Sequence, residues 1–376
     1  MRIGVPSQLN DLERRTAAVP ETVTTMVDWG WEVGVARGVG DPSGFIDEAY
    51  RSAGATVVDD AWDADLVLVL RPPPPDQLSP LAEQTILAGF LDPFVAADSI
   101  EAMRRGNLTG IALEAVPRTT LAQSMDALSS QSNIAGYAAV ILGSMESPRL
   151  FPMMVTAAGT IPPARALILG VGVAGLQAIA TAKRLGAAVF AYDIRPETKE
   201  QVESLGAKFV DAVTAEGDAG GYAIEVGDDT QAAQQAALAS HVAEADLLVT
   251  TAQIPGRPAP RLVTEEMVAA MKPGAVIVDM AAGSGGNVAG SRPDEHVHHD
   301  GVRILGPTNL ASHYAGDASR MLARNIVAML ERGKTADGGF VIDPDDEILG
   351  EATVVMDGQV RHERSIAMLD AAEAAS

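Results

Sequence analysis

The chain has 376 residues, enough for two domains, and 47% of them are hydrophobic but only 4% aromatic, so the cores must be built mostly of Ala, Val, Leu and Ile. A formal net charge of −23 argues against nucleic acid and anionic membrane surfaces as partners, and the lack of cysteine excludes disulfides and thiolate metal sites. The start, MRIGVPSQLN, has too short an apolar run for a signal peptide, and no apolar run reaches the roughly eighteen residues that a membrane span needs, so a soluble cytoplasmic protein is expected.

The first third alternates strand and helix. Arg2 to Val5 predicts a short strand. Pro20, well suited to a first helical position, opens a helix that stops at Gly30. Trp31 to Ala36 reads as a strand, Asp47 to Ser52 as a helix ended by Gly54, and Ala64 to Leu70 as an apolar strand running into Pro72–Pro75, a rigid turn. Ile86 to Leu91 is another strand, Asp98 and Ser99 are candidate caps for the helix SIEAMRRG, and Leu108 to Leu113 closes the series. This is the pattern of a parallel α/β domain. It has no GxGxxG, so nothing places a dinucleotide there.

From Val116 to Glu146 the character changes. PRTTLAQSMDALSSQSN is rich in hydrogen-bonding side chains and gives way to an apolar helix, Ile134 to Met145, expected to bridge two domains beside a cleft. The polar stretch is open to two readings: a functional loop entering the cleft, or an ordinary helix start capped by Ser124 or Thr120.

Arg165 to Arg195, RALILGVGVAGLQAIATAKRLGAAVFAYDIR, is the most informative stretch. An apolar run leads into Gly170-x-Gly172-x-x-Gly175, a helical pattern ends at Gly186, and a second apolar run reaches Asp193. Strand, tight turn, helix, strand and terminal acid make one βαβ unit of the dinucleotide-binding kind. Gly170 permits the turn, Gly172 lets backbone approach a pyrophosphate, and Gly175 lets the helix pack close to the strand. The helix N-terminus offers free N–H groups and the positive end of its dipole. Asp193 can accept from a ribose 2′-OH and would repel a 2′-phosphate, which points to NAD(H) rather than NADP(H).

Beyond it, a helix at about Lys199 to Leu205 and a strand near Phe209 precede an acidic, glycine-rich segment, Asp211 to Thr230. At about twenty residues it is long enough to be a functional flap or a disordered segment. Gln231 to Ala245 reads as a helix, Ala245 to Thr251 as a buried strand, and Ile254-Pro255-Gly256 as a turn. Thr264 caps a helix carrying Glu265 and Glu266 in its first turn, and Lys272-Pro273-Gly274 stops it. Ala275 to Met280 and Val302 to Leu305 are further strands. The pair His298-His299 falls in a polar stretch, a solvated turn rather than a ligand set, and no metal site is expected. Asp317 or Ser319 starts a helix through Leu330 that crosses back to the first domain, and ILGEATVVMDGQVRHE reads as a hairpin turning at Asp357-Gly358. The expected architecture is two Rossmann-like, doubly wound parallel-sheet domains joined by a long helix, 1–125 completed by 313–376, and 126–312.

The runs RTTLAQSMDALSSQSNIAGY and FPMMVTAAGTIPPARALILGVGVAGLQAIATAKRLGA, with TKEQVESLGAKF, GGYA, IPGRPAP, TEEMVAAMKPG and GGN, closely resemble the NAD(H)-binding component of proton-translocating nicotinamide nucleotide transhydrogenases. That group is related to alanine dehydrogenase, which shares the pattern seen here as Glu13-Arg14-Arg15-Thr16-Ala17-Ala18-Val19-Pro20. The resemblance implies reversible hydride transfer between NADH bound here and NADP⁺ bound to a different component, coupled to proton movement elsewhere. It implies a homodimer on the cytoplasmic face, held peripheral to the inner membrane by a proton-translocating membrane subunit and an NADP(H)-binding subunit. By matching positions, Gly170, Gly172, Val173, Gly175 and Asp193 fall in the pyrophosphate and adenosine-ribose site, with Arg195 beside them. Arg118, Gln123, Asp126 and Ser129 match the loop near the nicotinamide, and Tyr222 matches the tyrosine of a mobile loop that closes over the nucleotide. Direct hydride transfer needs no proton donor and no covalent intermediate, so these are positioning roles. Arg118 and Asp126 can hold the carboxamide or each other, Ser129 can orient the amide, and Gln123 can bridge to the second nucleotide.

Two other readings compete. An alanine dehydrogenase needs a general acid/base and a cation for its keto-acid. In those enzymes the strand matching Leu66–Arg71 leads to a lysine and the one matching Phe90–Leu91 to a histidine. Here LVLVLRPPPP and GFLDPFV supply neither, and Arg15 alone cannot serve both needs. A module that senses NAD(H) without chemistry would not need the Arg118–Ser129 loop.

Overall fold

Leu66–Val69 and Leu247–Thr250 are unbroken apolar runs but for one threonine, and every residue in them is buried. Strands covered on both faces take this composition, and it makes them the centres of parallel sheets. The computed structural model describes residues 1–211, 228–254 and 256–375. Within them the chain divides into two compact units, Met1–Gln131 with Ala311–Ser376, and Ser132–Leu310.

The first unit opens with β1 (Arg2–Val5), α1 (Pro20–Asp28), β2 (Glu32–Ala36), α2 (Asp47–Ser52), β3 (Thr56–Val58) and β4 (Leu66–Val69). It continues through α3 (Pro75–Leu78), β5 (Ile86–Gly89), α4 (Ala97–Arg105) and β6 (Thr109–Ala112). These strands pair in parallel in the order β3-β2-β1-β4-β5-β6. The helix α5 (Ala127–Glu146) follows, and the division between units falls inside it.

The second unit carries a hairpin, β7 (Met154–Thr156) with β8 (Gly159–Ile161), and then β9 (Arg165–Leu169), α6 (Val173–Arg184), β10 (Ala188–Tyr192), α7 (Thr198–Ser204) and β11 (Lys208–Phe209). After α8 (Asp228–Glu244) come β12 (Leu247–Thr250), α9 (Glu265–Ala269), β13 (Val276–Asp279), β14 (His296–His299) and β15 (Val302–Leu305). The order is β11-β10-β9-β12-β13-β15, parallel throughout, with β14 antiparallel on the edge. Both sheets therefore have the doubly wound order in which the strand succession reverses beside the first strand. The first unit is completed by α10 (Ala315–Gly333), α11 (Leu349–Ala352), β16 (Thr353–Met356), β17 (Gln359–Val360) and α12 (Glu363–Ala375). β16 runs antiparallel to β6, and its turn to β17 uses Asp357 and Gly358 at φ 51° and 69°, the two left-handed positions that a tight hairpin demands.

Several local expectations are corrected. α5 begins at Ala127, not at Ile134, and its cap is neither Ser124 nor Thr120: Asp126 accepts the Ser129 N–H at 2.8 Å. Asp98 and Ser99 lie inside α4, which starts behind Ala96 without a side-chain cap. α10 starts at Ala315, ahead of both expected starts. His298-His299 is not a turn but part of the exposed edge strand β14, whose backbone is satisfied by pairing with β15. The strand β3 and the hairpin β7–β8 were not expected; all six hairpin residues are exposed, so no buried alternation announces it.

In the second unit α5 packs through glycines. A Cβ on Gly143 would collide with Leu247 of β12, and one on Gly136 would lie 2.8 Å from the carbonyl carbon of Ala174, in the first turn of α6. Gly136→Ala is expected to destabilise the protein by about 1–3 kcal/mol in denaturant unfolding, because backbone and not a pliable side chain stands in the way. Unchanged stability would mean that α5 is free to retreat from α6.

Candidate functional site

At the carboxyl end of β9 the chain turns at Gly170, φ 97°, and enters α6 behind Gly172. A Cβ on Gly170 would stand 2.6 Å from Thr251 Oγ1, and one on Gly175 would lie 2.9 Å from the Gly170 carbonyl carbon, overlapping its oxygen. The turn is thus a cradle closed to side chains. No side chain caps α6, and its first turn carries no acid, so its leading N–H groups and its positive end are left for an anion. Thr251, just beyond β12, donates from Oγ1 to the Gly170 carbonyl at 3.1 Å and holds the turn from the neighbouring strand. The place is the carboxyl edge between β9 and β12, where the strand order reverses. These residues fit the pyrophosphate of a dinucleotide: Gly172 and Val173 lead the helix, and Gly170 and Gly175 make room for it.

Asp193 follows β10 and is buried. Its Oδ1 accepts from the backbone N–H and Nε of Arg195, both at 2.9 Å; its Oδ2 accepts from Arg195 Nη2 at 2.9 Å and from the Val171 N–H at 2.7 Å. The sequence pattern presents Asp193 as a bare acid. Instead Arg195, itself buried, neutralises it, and the same carboxylate ties the second strand to the glycine turn. Exclusion of a 2′-phosphate by simple charge repulsion is correspondingly weakened, and the carboxylate occupies the guanidinium that would otherwise receive such a phosphate.

A second knot at this edge is not legible from spacing. Asp279, fully buried at the end of β13, accepts from Thr250 Oγ1 at 2.9 Å and from the N–H groups of Ala281, Asn287 and Val288. Asn287 in turn bonds the backbone of Ala252 and Pro260. The one signal in the sequence is the phrase GGN, and its asparagine shapes the loops after β12 and β13.

The Arg118–Ser129 stretch belongs to the first unit. Arg118 and Gln123 are exposed, and Gln123–Met125 forms a 3-10 turn. Ala122 and Met125 are buried pegs, packed in the core that includes Leu322, Ile326 and Met329. Asp126 and Ser129 are brought together as cap and capped: beside the backbone bond, Ser129 Oγ donates to Asp126 Oδ2 at 2.5 Å. Tyr222 lies outside the described residues.

The equivalent edge of the first unit, outside β1 and β4, is occupied by protein. Gln8 accepts the Leu70 N–H at 2.6 Å and donates to the Arg71 carbonyl at 3.0 Å. Arg15 is buried in a two-pronged pair with Glu13, at 2.8 and 2.6 Å, and donates to Gln131 Oε1 at 2.8 Å. Beyond β6, Glu114 accepts the N–H groups of Leu91 and Asp92 at 3.2 and 2.8 Å. Burial, then the charge of Asp92, pushes the Glu114 carboxyl up to about 8. Among the described residues no cluster of His, Asp or Glu could hold a metal ion, and no helix is long and apolar enough to cross a membrane.

A doubly wound sheet whose switch point carries a side-chain-free turn, an uncapped helix and a terminal acid defines a dinucleotide-binding type of α/β protein. The models for the alanine dehydrogenase/PNT N-terminal and C-terminal domains match residues 4–135 and 139–363, and the chain belongs to that family. It is 44% identical to an NAD(P) transhydrogenase subunit alpha chain of Rhodospirillum rubrum, over 96% of this chain and 98% of that one. The crystal structure of transhydrogenase from Sinorhizobium meliloti superimposes with a TM-score of 0.87 at 42% identity, covering 96% of this chain and 100% of that one. The alanine dehydrogenase of Bacillus subtilis is more distant, 33% identical over 77% of this chain and 72% of that one.

Two outcomes are expected. In Asp193→Ala the Val171 N–H loses its acceptor and Arg195 loses its counter-ion, so NADH should bind about tenfold or more weakly while NADPH gains relative to it. Titration with both nucleotides checks this, and unchanged discrimination would remove Asp193 from the role. The second concerns pH. A carboxyl raised in the fold keeps a proton that the unfolded chain has lost, so its contribution makes stability fall as pH climbs from the ordinary carboxylate range to about 8. Asp92→Asn removes one cause of that rise. It should therefore stabilise the protein more at about pH 8 than at about pH 5 in thermal melts, and an equal effect at both would refute the linkage.

Proposed function

We propose that the chain is the NAD(H)-binding component of a proton-translocating transhydrogenase, and that it takes part in reversible hydride transfer between NADH and NADP⁺ held on a partner component. The observation that carries this is the near-full-length relation to a transhydrogenase subunit, together with a glycine cradle and Asp193 at a switch point whose turn is clear of side chains. The loss of alanine-dehydrogenase chemistry points the same way. Its lysine and histidine are missing, Arg15 is committed to Glu13, and Gln8 fills the edge between β1 and β4.

In this reading bound NADH supplies the hydride and this chain supplies placement. The α6 N-terminus holds the pyrophosphate, and the Asp193–Arg195 pair reads the adenosine ribose. Arg118 and Tyr222 secure and cover the nicotinamide end. The Asp126–Ser129 cap steadies the helix start next to them, and Gln123, exposed and carrying both a donor and an acceptor, reaches toward the second nucleotide. No residue has to deliver a proton. The assembly in this reading is a homodimer at the cytoplasmic face, joined to a membrane subunit that moves protons and to an NADP(H)-binding subunit.

The test mixes this chain with the NADP(H)-binding component and follows hydride exchange between NADH and an NADP⁺ analogue, which should be robust. Intact NADH binding without exchange would instead mark a nucleotide sensor. Turnover of pyruvate and ammonium by the chain alone would restore the alanine dehydrogenase reading.

A further inference from the structure

The turn that carries Gln123 is held by a side chain 201 residues further along the chain. Asn325 stands on α10 and is 8% exposed. Its Nδ2 donates to the Ser124 carbonyl at 2.7 Å, and its Oδ1 accepts from Ser130 Oγ at 2.7 Å. The Ser124 carbonyl can only accept, so it fixes which way the amide faces. Ser130 lies in the first turns of α5, and Gln131 beside it donates to the Ala318 carbonyl of α10 at 3.1 Å while accepting from Arg15. The segment from Ser124 to Gln131 is thus clamped to α10 at both ends. Ala122 and Met125 already provide the burial of the turn, and Gln123 and Ser124 stay outside it. What the Asn325 bond adds is direction: it sets the peptide that follows Gln123, and with it the line along which the Gln123 side chain leaves the surface.

We propose that Asn325 is a positioning residue for hydride transfer, acting through Ser124 on Gln123; this rests on the role given to Gln123 under the proposed function. Asn325 touches neither nucleotide in this scheme. Its effect belongs on the rate of transfer and not on NADH affinity, because the NADH cradle lies on other residues.

The experiment uses the full chain mixed with the NADP(H)-binding component, at saturating nucleotides. Asn325→Asp keeps the size and the acceptor for Ser130 but sets a carboxylate oxygen against the Ser124 carbonyl; Asn325→Ala removes both bonds without adding charge. Each should slow transfer about tenfold and leave NADH affinity within about twofold of the parent. In a Gln123→Ala background, Asn325→Ala should cost nothing more, because its route to the reaction is gone. Thermal melts check the fold of every variant, and Asn325→Ala carries the test where Asn325→Asp melts early. Unchanged rates in the Asn325 variants beside a slow Gln123→Ala would overturn the proposal. So would equal losses in both backgrounds, the mark of a residue that only supports the fold. A Gln123→Ala protein as fast as the parent would defeat the underlying reading of Gln123, and the proposal with it.

Discussion

Between the end of β9 and the first turn of α6 there is room for backbone and nothing else. Gly170 faces Thr251 from the next strand, Gly175 faces the Gly170 carbonyl, and Gly136 of α5 closes on Ala174 from outside. A helix start gripped on these sides cannot be moved by a few tenths of an ångström without disturbing β9, β12 and α5 together, since interiors at this density relax little. The grip is also what makes the site useful. Donors aimed at an anion are worth most when they need no reorganisation on binding, and here the strand, its neighbour and a third element hold them.

Asp193 extends that grip to β10. One carboxylate accepts from Val171 in the turn and from both the backbone and the guanidinium of Arg195. Recognition and architecture are joined in the same atoms. The consequence is electrical: a neutralised pair presents a shape and a set of partners rather than a free negative charge. Selection between nucleotides then depends on what the pair leaves open, and less on repulsion.

Much of this was legible from the sequence, because its signals are local. The apolar runs, the glycine spacing, the acid beyond the second strand, the Thr264 cap and the Asp357-Gly358 hairpin all express constraints that act within a few residues. The start of α5 was misplaced for a physical reason. Ser130 and Gln131 are polar and so read as loop, yet their side chains bond Asn325 and Ala318 of α10, and a helix can carry such residues when another element receives them. Likewise Thr251, Asn287 and Asn325 matter through partners far along the chain, and no spacing rule connects Ser124 to Asn325. The hairpin β7–β8 buries nothing in this chain, so it offered no periodicity to find.

The two sheets share one strand order, and a shared order provides the same crevice twice. What differs is the chemistry set at each carboxyl edge. In the second unit three glycines and an uncapped helix clear a space for backbone to meet an anion. In the first, a glutamine reaches from the end of β1 to the end of β4, an arginine is sealed by its own glutamate, and a glutamate folds back on the loop after β5. Fold alone therefore cannot assign a ligand to either edge; the side chains do. An edge knitted shut by buried hydrogen bonds would have to break them to admit a small charged substrate, leaving polar groups unpaired. The dinucleotide cradle carries no such penalty, and that asymmetry directs the chemistry of this chain to a nucleotide and to whatever accepts its hydride.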